Sequence, residues 1–167
     1  MKYEAYIDTL KSKFEKNFSI DTDAVILENR IDMFAGFSAV SGRTFITKND
    51  VIDRYENYEY CYIKKYDTIT EEEAAAYGQF LERVVNECID PGKDHMSTYV
   101  TGVIIGDSIS NNARTVIEKY SYSKVYSFYL KGWCDVRLIY VGLDNNEIVT
   151  NKAGKKVKKV YQSALIK

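Results

Sequence analysis

The chain has 167 residues, 46% of them apolar and 28% charged, with a net charge of -1, which points to one domain with a full core and an average globular composition. A single histidine, His95, excludes multi-histidine metal sites, and three widely spaced cysteines, Cys61, Cys88 and Cys134, fit neither a disulfide framework nor a cysteine zinc site. No apolar run nears the roughly 20 residues that a bilayer crossing needs, and the charged start Met1-Lys-Tyr-Glu is unlike a signal peptide; the expected location is a reducing cytoplasm.

Residues 2 to 18 read as an amphipathic helix, with Tyr3, Ile7, Leu10, Phe14 and Phe18 recurring at helical spacing. Asp21-Thr-Asp23 breaks that pattern. Strands are expected over Ala24 to Ile31 and Met33 to Val40, the second turning at Ser41-Gly42 into Arg43 to Thr47 as a hairpin. Lys48 to Tyr55 is ambiguous, with Asn49 or Asp50 placed to cap a short helical turn.

From Tyr58 the pattern sharpens into strand, helix, strand, helix. Tyr58 to Lys65 is a strand. Thr70 with Glu73 forms a capping box, and Ala74, Tyr77, Leu81, Val84, Val85 and Cys88 share one face of the helix from Glu71 to Cys88, which Asp90-Pro-Gly92 stops. Tyr99 to Gly106 is apolar with little alternation, as a central strand covered on both faces should be. A strand joined through a helix to such a strand implies a parallel pair. Ser108 or Ser110 then caps a helix from Asn111 to Tyr120. A second hairpin is expected from Val125 to Leu130, a turn at Lys131-Gly132 and Trp133 to Leu143, and Asp144-Asn-Asn146 turns into Glu147 to Asn151. The fold class is α/β in the mixed α+β sense, a central mixed β-sheet flanked by helices, in a single domain over residues 1 to 167.

Charge is uneven along the chain. Residues 152 to 167 carry six lysines and no acid, against 17 basic and 24 acidic residues before them. That lysine-rich end reads either as a solvated terminus folded against an acidic body or as a contact for nucleic acid. Fifteen tyrosines fit a sheet with one wet face, or a stacking surface.

Several chemistries find no motif. Gly36-Phe-Ser38-Ala-Val40 lacks the final glycine of a nucleophile elbow, so His95 reads as a loop residue before a strand. Thr101 to Ser108 holds Gly102 and Gly106 but no phosphate loop; Asp107 and Ser108 merely lie where α/β sheets tend to place sites. What remains is a carboxylate-only magnesium site drawn from Glu28, Asp53, Glu56 and Glu59 with Lys64 and Lys65.

The order helix, strand meander, strand ending in Tyr62-Ile-Lys64, long helix containing Gln79, apolar strand Thr101 to Ile105 and helix through Arg114 and Glu118 resembles the restriction-endonuclease-like fold of the PD-(D/E)xK nucleases. The resemblance implies two acids holding magnesium beside a lysine, the second acid two residues before it because alternate strand residues share a face. Here Tyr62 stands two before Lys64 and Ile63 two before Lys65, and neither binds a metal. Asp50 to Tyr62 and Gly132 to Leu138 also resemble an uncharacterised family of clostridial-type bacterial proteins.

Two functions follow as expectations. One is a non-catalytic module binding protein or nucleic acid through its tyrosines or lysines, with no cofactor. The other is a divergent magnesium-dependent phosphodiesterase using relocated acids, with Lys64, Asp53, Glu59 and Glu28 as its catalytic set and Asp53, Glu59 and Glu28 as metal ligands. Exposed sheet edges at either hairpin could pair with a second copy.

Overall fold

A computed structural model describes residues 2–44 and 51–165. The backbone is one mixed sheet between two pairs of helices. It begins with α1 (Tyr3–Phe14), then β1 (Ser19–Ile26), β2 (Asn29–Thr44) and β3 (Val51–Lys65), an antiparallel meander. The helix α2 (Glu71–Glu87) crosses over to β5 (His95–Gly106), with the two-residue strand β4 (Thr68–Ile69) before it. A second short strand β6 (Ser108–Ile109) pairs with β4, and α3 (Asn111–Lys119) leads through β7 (Ser123–Val125) to β8 (Trp133–Gly142) and β9 (Glu147–Thr150). A 3-10 turn (Ala153–Lys156) and α4 (Lys158–Leu165) close the chain. Strand order is β1-β2-β3-β5-β8-β7, with β9 also on β8; β3, β5 and β8 run parallel. This is the element order that the nuclease-like resemblance requires.

The crossovers form where expected because their ends are capped. The Thr70 backbone N–H donates to Glu73 Oε2 at 2.8 Å and the Glu73 N–H donates to Thr70 Oγ1 at 3.2 Å, while Ser110, not Ser108, caps α3 through the Ala113 N–H. Leu81, Val84 and Val85 of α2 and Ile117 of α3 pack with Val100, Ile104 and Leu138 on one face of the sheet. On the other, Tyr6, Leu10 and Phe14 of α1 and Tyr161, Ala164 and Leu165 of α4 pack on Met33, Ile63, Val103 and Ile139. Gly102 lets α2 approach: a Cβ there would stand 2.3 Å from Leu81 Cδ1.

Six readings change. The first helix stops at Phe14, not residue 18, and Asp21-Thr-Asp23 lies inside β1. The expected strand Ala24 to Ile31 is instead the end of one strand, a two-residue turn and the start of the next: Ile26 pairs with Asn29, and Leu27 and Glu28 both take positive φ (46° and 65°). Such a turn normally advertises itself with Asn-Gly, so Leu-Glu hid it. Ser41 and Gly42 do not turn but pair with Tyr55 and Arg54, so β2 runs on to Thr44 and Val51 to Tyr55 is strand, not a helical turn. The expected Phe45 to Thr47 and Lys48 to Asp50 lie outside the described residues. In the second hairpin the pairing strand is Ser123 to Val125, and Tyr126 to Gly132 is loop.

That loop is held firmly. Ser127, Phe128 and Tyr129 take φ of 48°, 51° and 71° in succession, a left-handed turn costing about 1–2 kcal/mol per non-glycine residue. Backbone bonds from the N–H groups of Leu130, Lys131 and Gly132 to the carbonyls of Ser127, Tyr126 and Tyr129 offset that cost. His95 Nδ1 meets the Lys131 carbonyl at 2.5 Å; a carbonyl only accepts, so Nδ1 carries a proton, and Nε2 meets the Thr98 hydroxyl at 2.8 Å. The histidine is thus buried and fastens the loop to β5.

All three thiols are free. Burial pushes Cys61 and Cys134 up to about 12, while Cys88 is exposed. Because only the thiolate reacts, native protein at pH 8 should take up one equivalent of iodoacetamide, at Cys88, and three after denaturation. Mass spectrometry of the native adduct checks this; labelling of Cys61 without unfolding would contradict the packing of α4 over β3.

Candidate functional site

Two places on the sheet bear on chemistry, one at each end of the parallel strands. At the carboxyl end of β3, Lys64 lies with its Nζ 5.4 Å from the centre of the Tyr66 ring, and Lys65 Nζ lies 4.9 Å from that of Tyr3. Tyr62, where the nuclease pattern has its second acid, is 4% exposed and packs its ring against Phe34 and Phe80 in the α2 face core. Tyr77 covers the spot, its hydroxyl donating to the Tyr62 carbonyl at 2.8 Å.

The acids considered with Lys64 go elsewhere. Glu28 sits exposed at the β1–β2 turn. Glu59 faces the opposite side of the sheet, five residues and roughly 17 Å from Lys64 along the strand, and accepts from Arg137. Glu56 accepts from the Tyr58 hydroxyl near the far end of β3. The Asp53 side chain lies outside the described part of the chain; its backbone pairs with Arg43, eleven residues back along β3 from Lys64 and so roughly 35 Å away.

One carboxylate that the sequence reading passed over does lie here: Asp32 Oδ2 accepts from the Lys65 backbone N–H at 2.6 Å. Burial, then Glu73 and Asp32, push the Tyr66 phenol up to about 12. The signal for Asp32 was the antiparallel register, which sets the start of β2 against the end of β3. Without the Leu27-Glu28 turn that register could not be seen. Among the described residues, no three His, Cys, Asp or Glu side chains gather as metal ligands. Asp107 and Ser108 are committed to the β4–β6 connection, the Asp107 N–H donating to the Asp67 carbonyl and the Ser108 hydroxyl to Thr68 Oγ1.

At the amino end of the parallel strands, on the α1–α4 face, the arrangement is different. Arg137 of β8 is 5% exposed, yet its Nη1 donates to Glu59 Oε1 at 2.6 Å and its guanidinium carbon lies 3.8 Å over the Tyr99 ring. The pair spans β3, β5 and β8, because parallel register sets Glu59 beside Tyr99 and Tyr99 beside Asp135, two residues before Arg137. Among the described residues, Arg137 Nε and Thr101 Oγ1 are buried without a hydrogen-bond partner.

Beside this pair opens a cleft of about 290 Å³ lined by Tyr99, Tyr120 and Tyr122, by Ser121, Ser123 and Asp135, and by Lys152 and Lys156. Its lysine wall is fixed by Asn151. The Asn151 Oδ1 accepts from the N–H groups of Leu138 and Gly154, and its Nδ2 donates to the carbonyls of Tyr120 and Val136. The lysine-rich end is therefore folded. Lys152, Lys155, Lys156 and Lys159 are exposed along one side of a segment whose other side buries Tyr161, Ala164 and Leu165. The sequence marked the lysines but not the tyrosines that line the cleft with them, nor Arg137.

The fold and these sites define a mixed α/β domain with no helix, among the described residues, long and apolar enough to cross a membrane. A family model described as "Domain of unknown function (DUF8052)" matches residues 2–163, and the chain belongs to that family. No curated protein matches it. Among solved structures it is similar to a crystal structure of a repair endonuclease from Pyrococcus abyssi, at 12% identity over 71% of this chain and 44% of that one, with a TM-score of 0.40. The chain spans less than half the length of that protein, and a likeness of this size says nothing of activity.

Proposed function

We propose that this chain is a non-catalytic binding module of the cytoplasm and that its ligand is single-stranded nucleic acid, held in the cleft between Tyr99, Tyr120, Tyr122 and the lysines 152 and 156. The observation that carries the reading is one cleft whose lining brings Tyr99, Tyr120 and Tyr122 together with Lys152 and Lys156, on a wall that Asn151 fastens. Phosphates pair with lysines whatever the sequence, and bases offer faces to rings, so this set favours a flexible polyanion with planar groups. Three free thiols suit a reducing compartment.

Fluorescence anisotropy with a labelled oligonucleotide tests this. Lys152→Glu with Lys156→Glu should weaken binding at least ~10-fold and lower the salt slope by about 1–2, since each lost phosphate contact removes one released counterion. Unchanged affinity in that variant, or no binding by the natural chain at low salt, contradicts the reading.

A second reading, a magnesium-dependent phosphodiesterase, is supported by Asp32 beside the Lys64–Lys65 end of β3. On that reading Lys64→Ala and Asp32→Asn each abolish cleavage of a nuclease substrate in magnesium while the thermal midpoint holds. Cleavage that is absent from the natural chain, or that survives both substitutions, excludes it.

A further inference from the structure

We propose that two copies of this chain associate through the loop between β7 and β8, the Phe128 and Leu130 side chains of each copy entering the hollow beside Trp133 of the other. Phe128 is 97% exposed, Leu130 84% and Tyr129 69%, on a turn that left-handed backbone and the His95 bond hold in one shape. Large apolar groups kept in water on a strained, ordered loop mark a contact surface, not a fold requirement.

The hollow adjoins the loop, whose Tyr129 lines it. It is an open depression of about 380 Å³ lined by Val125, Tyr129, Trp133 and Asp135. Because projection and hollow sit side by side on one copy, a two-fold axis lets each projection fill the other's hollow and closes the contact at two copies. Aromatic side chains bury about 150–250 Å² each, so Phe128 and Tyr129 with the exposed parts of Leu130, Val125 and Met96 amount to roughly 500–600 Å² per copy, about 1,000–1,200 Å² for the pair and at the lower bound of a specific interface.

Charge fits the same exchange. Lys131 follows the projecting residues and is exposed, and Asp135 borders the hollow, so the two-fold contact sets each lysine against the other copy's carboxylate. The hollow shares Ser123 and Asp135 with the cleft, but Lys152 and Lys156 are no part of it, so nucleic-acid binding can fail while association stands.

Sedimentation equilibrium of the full chain over roughly 1–200 µM decides the matter. The natural chain should show a monomer–dimer equilibrium, and Phe128→Asp with Leu130→Asp should weaken it by ~30-fold or more while circular dichroism of the monomer is unchanged. Aspartate tolerates the left-handed backbone at position 128, so folding is kept, and the Phe128→Ser, Leu130→Ser pair repeats the test without added charge. Lys131→Glu should also weaken association, and adding Asp135→Lys should restore it. A monomer throughout the range, a dimer indifferent to the paired substitutions, or a charge exchange that fails to restore association overturns the proposal. So does a monomer whose loop binds lipid vesicles instead.

Discussion

Glu59→Ala is expected to lower folding stability by about 3–5 kcal/mol, because it strands a buried guanidinium. Arg137 is 5% exposed, and its one hydrogen-bonded ion-pair partner among the described residues is Glu59, at 2.6 Å. Its Nε has no acceptor among the described residues, so that atom does not soften the loss. The Tyr99 face beneath it offers a cation–π attraction of about 2 kcal/mol, which does not neutralise the charge. The converse change is milder. Arg137→Met leaves Glu59, whose side chain is 27% exposed, able to reach water, and the thioether can lie on the Tyr99 ring in place of the guanidinium. Adding Arg137→Met to Glu59→Ala should therefore recover much of the loss, since apolar replacements of a buried pair are often close to neutral. Urea unfolding measures all three: the midpoint should fall most for Glu59→Ala with little change in slope. A loss under about 0.5 kcal/mol would mean that the pair is hydrated and that Arg137 is not buried as described.

Tyr161→Ala should cost about 3–5 kcal/mol, as large-to-small changes of a buried aromatic do. Tyr161 is 2% exposed, its ring stands edge-on to Phe14 and its hydroxyl lies 3.8 Å from Cys61 Sγ. Its backbone carbonyl accepts from the Tyr6 hydroxyl, so the side chain and the main chain of α4 both lock to α1. Ending the chain before Lys158 should have a larger effect still, leaving Tyr6, Leu10 and Phe14 without cover. Circular dichroism melts of the substituted chain check the first point and the solubility of the shortened chain the second. A shortened chain that melts like the full one would contradict the packing of α4 over α1.

How far the sequence carried varied with the kind of signal. The β3–α2–β5 unit was legible because its helix has a capping box and a proline stop and its second strand is apolar on both faces, features that act within a few residues. The β1–β2 turn was not legible, since Leu27 and Glu28 adopt a backbone that their side chains do not favour and that strand pairing and the Asn29 side-chain amide, donating to the Leu27 carbonyl, hold in place. The lysine-rich end looked like a tail because charge dominates its composition, whereas Tyr161, Ala164 and Leu165, three residues among many polar ones, decide its place. For the sites the divide is the same. Lys64 could be read from its strand, and so could the side chains two residues before it. Asp32 beside Lys65 and Arg137 above Tyr99 depend on register between strands distant in sequence, and the meeting of Tyr122 and Lys152 in one cleft depends on the fold as a whole, which no local pattern states.

Titrating isotopically labelled protein with a short single-stranded oligonucleotide in the presence of magnesium, and following backbone amide shifts, puts the two ends of the sheet in direct competition. Shifts should concentrate at Tyr99, Tyr120, Tyr122, Lys152 and Lys156 while the oligonucleotide stays intact. Shifts confined to Asp32, Lys64 and Lys65, with the strand cut, would contradict that account and place the working site at the other end of β3.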